Sequence, residues 1–281
     1  MNSAQAIGVF DSGIGGLTVV KHLQEQLPNE NIIYLGDTAR VPYGNKSSEV
    51  IIEYSLEIAN FLRQKSIKCI VIACNTASAY AFEAVQSAYP DIPVFGMIET
   101  GSLYAVSKTK NKHIAVIGTT ATIQSQLYEQ RMRELDPLIK TESVACPLFV
   151  PIVEEHILSG PIAEQIIEMY LSPLRGSGID TLIMGCTHYP LLKNTLQNYF
   201  GEEVYLVDSG KSAALFVKDQ LAKMSLLNEQ HVDGFLHCYL SCRTPKFVEM
   251  AELCIGRDIH HLEHIEIEAV HISPADKPVS T

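Results

Sequence analysis

The chain contains no apolar run that approaches the roughly 20 residues needed to cross a bilayer, so we expect no membrane span. Its first residues carry neither a basic segment nor a long apolar segment, and we therefore expect no secretory signal peptide. Positive charge is scarce too, because 21 Lys and Arg face 32 Asp and Glu, a formal net charge of -11. A field of that sign repels phosphate backbones and anionic lipid, so nucleic acid and membranes are not expected partners.

The seven cysteines form no pairing framework, because their number is odd and they are scattered along the chain. This is typical of free thiols in a reducing compartment and predicts a cytoplasmic protein. Histidine and cysteine crowd the C-terminal region, but apart from one close Cys pair their spacing matches no zinc site, and we expect no bound metal. The residues concerned are His237, Cys238, Cys242, Cys254, His260, His261 and His264.

Short apolar runs recur along the chain, and each leads through a polar or Gly-rich turn into a segment with helical spacing. The runs are too continuous to alternate between core and solvent, which predicts strands buried on both faces. The alternation of strand and helix predicts an α/β protein with parallel sheets flanked by helices. The predicted strands are 7–10, 31–35, 68–73, 93–96, 113–117, 181–184 and 204–207. The predicted helices are 17–27, 48–65, 77–88, 124–135, 161–174, 191–199 and 212–224.

Two halves of the chain look related to each other. Segments 7–13 and 114–120 both read as a strand followed by a turn, and segment 69–76 parallels segment 181–188. We therefore predict two similar lobes, each a mostly parallel sheet flanked by helices, with the active site in the cleft between them. The predicted division is 1–97 plus 208–272 for the first lobe, 98–207 for the second and 273–281 for a frayed tail.

Cys74 and Cys186 occupy matching positions in the two halves, just past a buried strand and before a polar turn that opens a helix. Ligands of open α/β sheets bind outside the carboxyl ends of the strands. A thiol at a helix start also feels the positive end of the helix, which predicts a pKa lowered from ~8.5 toward neutrality. A single Cys there is often only a small core residue. Two in matching positions favour a functional pair.

The symmetry of this pair suggests its chemistry. Inverting a stereocentre requires that a proton leave one face of a carbon and that another arrive on the opposite face. Two thiols suit this task, one as thiolate and one as thiol, because their ordinary pKa of ~8.5 lets both forms be populated. We predict that Cys74 and Cys186 invert the α-carbon of a small amino acid. Redox use is the rival interpretation, and a close Cys-x-x-Cys spacing that would favour it is absent.

Polar residues follow each thiol directly, Asn75 and Thr76 after one, Thr187 and His188 after the other. With helix N-terminal amides they can hold a carboxylate, and this is compatible with a simple capping role. His188 can tune its neighbouring thiol or relay a proton. Glu154 follows an apolar run and is either a helix-start charge or a partner for a thiol or histidine.

The Gly-rich loop 10–16 lies between a strand and a helix, as phosphate-binding loops do. It lacks the Gly-Lys-Ser/Thr of a P-loop, and Asp11 would repel a pyrophosphate but can accept a hydrogen bond from a substrate ammonium. The turn Pro42-Tyr43-Gly44 is either ordinary or a backbone contact to ligand. A phosphate-binding module and a non-catalytic partner-binding protein are the alternatives from other classes. The missing P-loop Lys and the presence of Asp11 argue against the first, and the two thiols argue against the second as the sole role.

Five motifs together resemble the bacterial glutamate racemases of the aspartate/glutamate racemase family. They are Asp11–Leu17, 37–44, Ala73–Ala77, 118–122 and Gly185–Pro190, within a similarity that runs from about residue 7 to 224 and more weakly to 257. The resemblance implies cofactor-independent interconversion of L- and D-glutamate in the cytoplasm for peptidoglycan synthesis. A related aspartate or hydantoin racemase with the same chemistry is the alternative, and the motif at 185–190 favours glutamate.

The resemblance also implies a role for each matching residue. Cys74 would abstract the α-proton of D-glutamate and Cys186 that of L-glutamate, with Asp11, Glu154 and His188 in supporting acid-base positions. No cofactor or metal is implied, the partner is a small-molecule substrate, and a homodimer is allowed. The implied substrate contacts are Asp11, Ser12, Pro42, Tyr43, Gly44, Asn75, Thr76, Thr119, Thr120, Thr122, Thr187 and His188.

Overall fold

The computed structural model describes residues 2–230, 232–243, 245–256, 259 and 261–268. The predicted tail at 273–281 and His260 therefore lie outside the described residues. Within them the strands are β1 (Ala6–Asp11), β2 (Ile32–Gly36), β3 (Ile67–Ile72), β4 (Val94–Gly96), β5 (His113–Gly118), β6 (Lys140–Ala145), β7 (Thr181–Gly185), β8 (Tyr205–Asp208), β9 (Leu236–Leu240) and β10 (Leu262–His264).

Helices separate most of these strands, as the alternating pattern predicts. They are α1 (Leu17–Gln26), α2 (Ser48–Gln64), α3 (Asn75–Ala88), α4 (Met97–Lys108), α5 (Thr120–Gln124), α6 (Leu127–Leu135), α7 (Phe149–Glu154), α8 (Pro161–Leu171), α9 (Lys193–Phe200), α10 (Ser209–Lys223) and α11 (Pro245–Ile255). Short 3-10 turns occur at Tyr43–Asn45, Ser172–Leu174 and Tyr189–Leu192. None of the helices in the described part of the chain has the length and apolar content to cross a membrane.

The strands form two sheets, ordered β10-β9-β2-β1-β3-β4 and β6-β5-β7-β8. Every pairing in both sheets is parallel. The order β2-β1-β3-β4 in the first sheet has the same form as β6-β5-β7-β8 in the second. The prediction of two similar, mostly parallel α/β units is therefore confirmed. The chain leaves the first sheet after β4 and returns to it at β9, and the exact domain division stays a prediction.

This strand order decides where a ligand can bind. In each sheet the chain order reverses about the pair β1 and β3, or β5 and β7, and a crevice opens there at the carboxyl ends of the strands. Asp11 ends β1, and Cys74 follows β3. Gly118 ends β5, and Cys186 follows β7. The fold thus places both thiols at the ligand-binding edges of the two sheets. The loops that follow β1 and β5 lie at the same edges.

Several helix boundaries differ from the sequence prediction, two of them because the cap lies further upstream. Helix α10 begins at Ser209 and not at 212, since the Asp208 carboxylate accepts from the N–H groups of Gly210 and Lys211. Helix α3 begins at Asn75 because Cys74 serves as its N-cap. The predicted helix 124–135 is divided in two at Gln126, whose φ of 54° is left-handed.

Candidate active site

Cys74 caps the helix that begins directly after it. Its Sγ accepts a hydrogen bond from the N–H of Ala77 at 3.4 Å and lies 3.6 Å from the Ser12 hydroxyl, to which it donates. Ser12 belongs to the loop after β1, the strand that pairs with β3, so the sheet register brings the two residues together. The residue is 6% exposed, so the thiol is buried and not surrounded by solvent.

The charge environment of Cys74 differs from the sequence expectation of a lowered pKa. Burial raises the pKa of this thiol to about 12, and the nearby carboxylate of Asp11 adds to the rise. The hydrogen bonds that Cys74 makes with Ala77 and Ser12 offset only part of this rise in pKa, and the charge of Cys186 adds to it. The helix start is real, but desolvation outweighs it. In the ligand-free protein Cys74 is therefore a protonated thiol.

Cys186 lies beside a histidine that in turn contacts a carboxylate. Its Sγ is 3.9 Å from Nδ1 of His188, and Nε2 of the same ring is 3.3 Å from Oε1 of Glu154, within ion-pair distance. The ring packs against Gly15 of the first lobe's Gly-rich loop, where a Cβ would stand 2.7 Å from the imidazole. This position needs glycine for close approach. The structure thus brings together three residues that the family resemblance implies for catalysis, Cys186, His188 and Glu154.

His188 carries a positive charge at neutral pH. Burial lowers its pKa, but the contacts with Cys186 and Glu154, together with the charges of Cys186 and Asp11, raise the pKa to about 10. The two lobes therefore offer different environments. The first holds a neutral thiol beside a carboxylate, and the second places an imidazolium beside the sulfur of Cys186.

The charge on His188 can be tested by titration. We expect its imidazole to keep its proton where an ordinary histidine, with a pKa of 6.5, loses it. Because the folded-state pKa is raised, the resulting stability is fully present below pH 6.5 and is lost as the pH rises through about 10. Nitrogen-15 NMR of labelled histidine, assigned with His188→Gln, measures this. A His188 signal that titrates with a midpoint near 6.5 would contradict the assignment.

Asp11 lies between the two environments, fully buried at the end of β1. Its Oδ1 accepts from the N–H of Gly13 at 3.0 Å, and Thr187 donates to its Oδ2 at 3.5 Å. Burial raises the pKa of the carboxyl, and the charge of His188 lowers it in part. Asp11 thus links the loop after β1 to the loop that follows Cys186, and it can accept a hydrogen bond from an ammonium group.

Three threonine hydroxyls meet where the two lobes face each other. Thr76 lies 2.9 Å from Thr119 and 3.1 Å from Thr122, and the last two are 3.0 Å apart. Thr76 is in the first turn of α3, and Thr119 caps α5, which Thr120 begins. The turn Tyr43–Asn45 packs against α5, so Gly44 reaches the same place. Helix starts and hydroxyls together form a site suited to a carboxylate.

Two of the substrate contacts that the resemblance implies, Tyr43 and Asn75, have side chains that also bond to the protein. The Tyr43 hydroxyl donates to Asp37 at 2.5 Å and the side chain is buried, so this residue offers a ligand no free hydroxyl. The Asn75 amide is bonded to Tyr128 and Ser209. Pro42, in contrast, is exposed. Sequence reasoning missed Tyr128 and Ser209 because a buried tyrosine and a helix-start serine carry no signal of their own.

The C-terminal histidines and cysteines form no metal site among the residues that the structure describes, where no group of three or more His, Cys, Asp or Glu is placed to hold an ion. His237 lies in β9 and His261 directly precedes β10, with ring centroids 4.7 Å apart. His260 is outside the described residues. The expectation that this region holds no zinc unit therefore stays a prediction for the whole chain.

Comparison with known proteins places this geometry in a family. A model of the Asp/Glu/Hydantoin racemase family matches residues 7–217. The chain belongs to this family. Among its relatives, the glutamate racemase of Geobacter metallireducens is 44% identical over 265 residues, which are 94% of this chain and 98% of the relative. The resemblance drawn from the sequence motifs is confirmed.

Solved structures of family members share the fold along nearly the whole chain. A crystal structure of glutamate racemase from Francisella tularensis in complex with D-glutamate has a TM-score of 0.89 at 38% identity, covering 95% of this chain and 100% of that one. Glutamate racemase isoform RacE1 from Bacillus anthracis has a TM-score of 0.91 at 37% identity, covering 95% and 99%. The fold class of two sheets flanked by helices is therefore that of these racemases.

Proposed function

We propose that the chain is a glutamate racemase that interconverts L- and D-glutamate with Cys74 and Cys186 as its two acid-base groups. The observation that carries the proposal is the placement of one thiol at the same carboxyl-terminal edge of each of two similar sheets. The names of the similar proteins supply the substrate. The product D-glutamate would serve peptidoglycan synthesis in the cytoplasm.

The proposed cycle uses the two thiols in opposite roles, one as proton acceptor and the other as proton donor. Cys186 lies beside the His188 imidazolium, and the pKa of the buried Cys74 thiol is raised. With L-glutamate, Cys186 takes the α-proton and becomes a thiol, while Cys74 gives its proton to the opposite face and becomes a thiolate. The product is D-glutamate, and the same steps in reverse convert D to L. Glu154 holds the imidazolium in place.

Asp11 would act on both Cys74 and the substrate ammonium. Its charge disfavours a thiolate at Cys74 in the free enzyme. A substrate ammonium bonded to Asp11 would balance that charge and make the Cys74 thiolate easier to form. Thr187 and Ser12, which contact Asp11 and Cys74, would complete the amino-acid end of the site.

The substrate carboxylates would bind at the helix starts around the threonine hydroxyls described above. The starts of α3 and α5 supply N–H donors, and no charged side chain is needed there. This places Asn75 and Thr76 on one side of the substrate and Thr119, Thr120 and Thr122 on the other. Pro42, Tyr43 and Gly44 would contact it from the adjoining turn.

Isotope exchange with both enantiomers tests the proposed function. Dialysed protein in D₂O should bring solutions of L- and D-glutamate to the same zero circular dichroism, with one deuterium incorporated at the α-carbon. A parallel panel with aspartate and a hydantoin decides between family members. Racemisation of either of those in place of glutamate would overturn the proposed substrate, and no α-deuteration at all would overturn the reaction.

The two thiols can remove and return the α-proton without a metal or an organic cofactor, and this gives a second expected result. Racemase activity should survive EDTA together with hydroxylamine, which would remove a metal and trap a pyridoxal carbonyl, at the level of an untreated sample. Reducing agent is kept in both samples so that thiol oxidation cannot imitate cofactor loss. Activity that disappears and returns on adding a metal or pyridoxal phosphate would contradict the two-thiol mechanism.

A further inference from the structure

Tyr128 connects the two thiol-bearing strand ends. It lies on α6 in the second lobe and is 2% exposed. Its hydroxyl is 2.7 Å from Oδ1 of Asn75, the residue directly after Cys74, and 3.3 Å from the carbonyl of Met97. Its ring packs against Gly185, the residue directly before Cys186, where a Cβ would stand 3.3 Å from the ring. One side chain therefore contacts the neighbours of both thiols.

The hydrogen bonds around Asn75 determine which way its amide points. Ser209 donates its one hydroxyl hydrogen to the carbonyl of Met184 at 3.1 Å, so toward Asn75 it can only accept. It therefore accepts from Nδ2 at 3.5 Å, which puts Oδ1 on the opposite side of the amide, facing Tyr128. Tyr128 must then be the donor to Oδ1. This arrangement leaves the second hydrogen of Nδ2 as the only unassigned donor of the amide.

We propose that Tyr128 is a positioning residue that locks the Asn75 amide with its remaining N–H available to a substrate carboxylate. The proposal rests on the proposed function, because it gives Asn75 a role in holding the amino acid. Without the Tyr128 hydroxyl, Oδ1 loses its short bond, and the amide can rotate about its terminal bond to satisfy Oδ1 elsewhere. Tyr128 itself has no contact with the reacting atoms and acts through Asn75.

A double-mutant cycle with Asn75 separates this role from a merely structural one. Tyr128→Phe should raise KM for both enantiomers about tenfold, the scale of one lost hydrogen bond, while kcat changes by less than about threefold. In an Asn75→Ala background the same change should raise KM by less than about twofold, because the amide that Tyr128 holds is gone. A structural role would affect both backgrounds alike.

Tyr189→Phe is the matched control. Tyr189 is also fully buried in the second lobe, and its hydroxyl donates at 2.8 Å to the carbonyl of Cys146. It should lose similar stability and keep KM within about twofold. Equal KM increases in Tyr128→Phe and Tyr189→Phe, or an undiminished effect of Tyr128→Phe without Asn75, would overturn the proposal. The cycle uses whichever amino acid the wild type racemises, so inactivity on glutamate alone counts against the proposed function and not against Tyr128.

Discussion

Alanine in place of Cys74 or Cys186 should slow racemisation in both directions by at least ~10²–10⁴-fold, the usual scale for losing a general acid or base. Each turnover needs one thiol to take a proton and the other to return one, so neither single variant can complete the inversion. Serine should be nearly as damaging, because a hydroxyl is far less acidic than a thiol. The measurement is the initial rate from each pure enantiomer by circular dichroism.

The control for this pair is another buried thiol that has no place in the mechanism. Cys69 lies in β3, is fully buried and points into the core of the first lobe. Cys69→Ala removes a thiol of the same kind and should keep kcat within about threefold, with only a modest loss of stability for so small a cavity. A fully active Cys74→Ala or Cys186→Ala variant would end the two-base account.

Lys68→Met should have the largest effect on stability, lowering the free energy of unfolding by about 3–5 kcal/mol. Lys68 and Glu30 form an ion pair whose side chains are 0% and 2% exposed. The ammonium also donates to the carbonyls of Ser3 at 2.6 Å and Leu226 at 2.8 Å. Replacement leaves the Glu30 carboxylate buried with the N–H of Asn228 as its remaining hydrogen-bond donor among those described. Urea unfolding followed by circular dichroism measures the loss.

Two further variants show whether the buried charge is the cause. Lys223→Met breaks an ion pair with Asp219 whose side chains are 65% and 54% exposed, and it should cost less than ~1 kcal/mol. Adding Glu30→Gln to Lys68→Met removes the stranded charge and should recover at least ~1 kcal/mol. A Lys68→Met protein as stable as Lys223→Met would refute this reasoning. Activity of the folded fraction should be unchanged, since Lys68 lies at the opposite end of β3 from Cys74.

The sequence predicted best those strands in which every residue is buried and whose pattern recurs in both sheets. The strands on either side of the crevice are continuous apolar runs, and β1, β3, β5 and β7 were all predicted within a residue or two. The outer strand β6 was missed because its sequence, Lys-Thr-Glu-Ser-Val-Ala, is polar and only partly buried. Helix α4 was missed because its buried positions are largely small or polar, including Thr100, Gly101 and Ser102, and show no apolar stripe.

The candidate site shows the same division between local and long-range information. The thiols could be found because they recur in two related segments, and their polar neighbours followed from the motifs. The direction of the pKa shift of Cys74 could not be predicted. A helix start is visible in the sequence, whereas the burial of the thiol and its proximity to Asp11 are not. Tyr128 and Ser209 were invisible for a similar reason, because their importance lies in contacts with Asn75 made across the fold.

The central claim is that the two thiols act on opposite faces of one carbon, and enantiomer-specific elimination tests it most directly. A glutamate analogue with a leaving group on its β-carbon needs only removal of the α-proton, after which the leaving group departs. Cys74→Ser keeps Cys186 and should eliminate from the L-enantiomer but not from the D-enantiomer. Cys186→Ser keeps Cys74 and should show the reverse preference. Equal losses for both enantiomers in both variants would contradict the account.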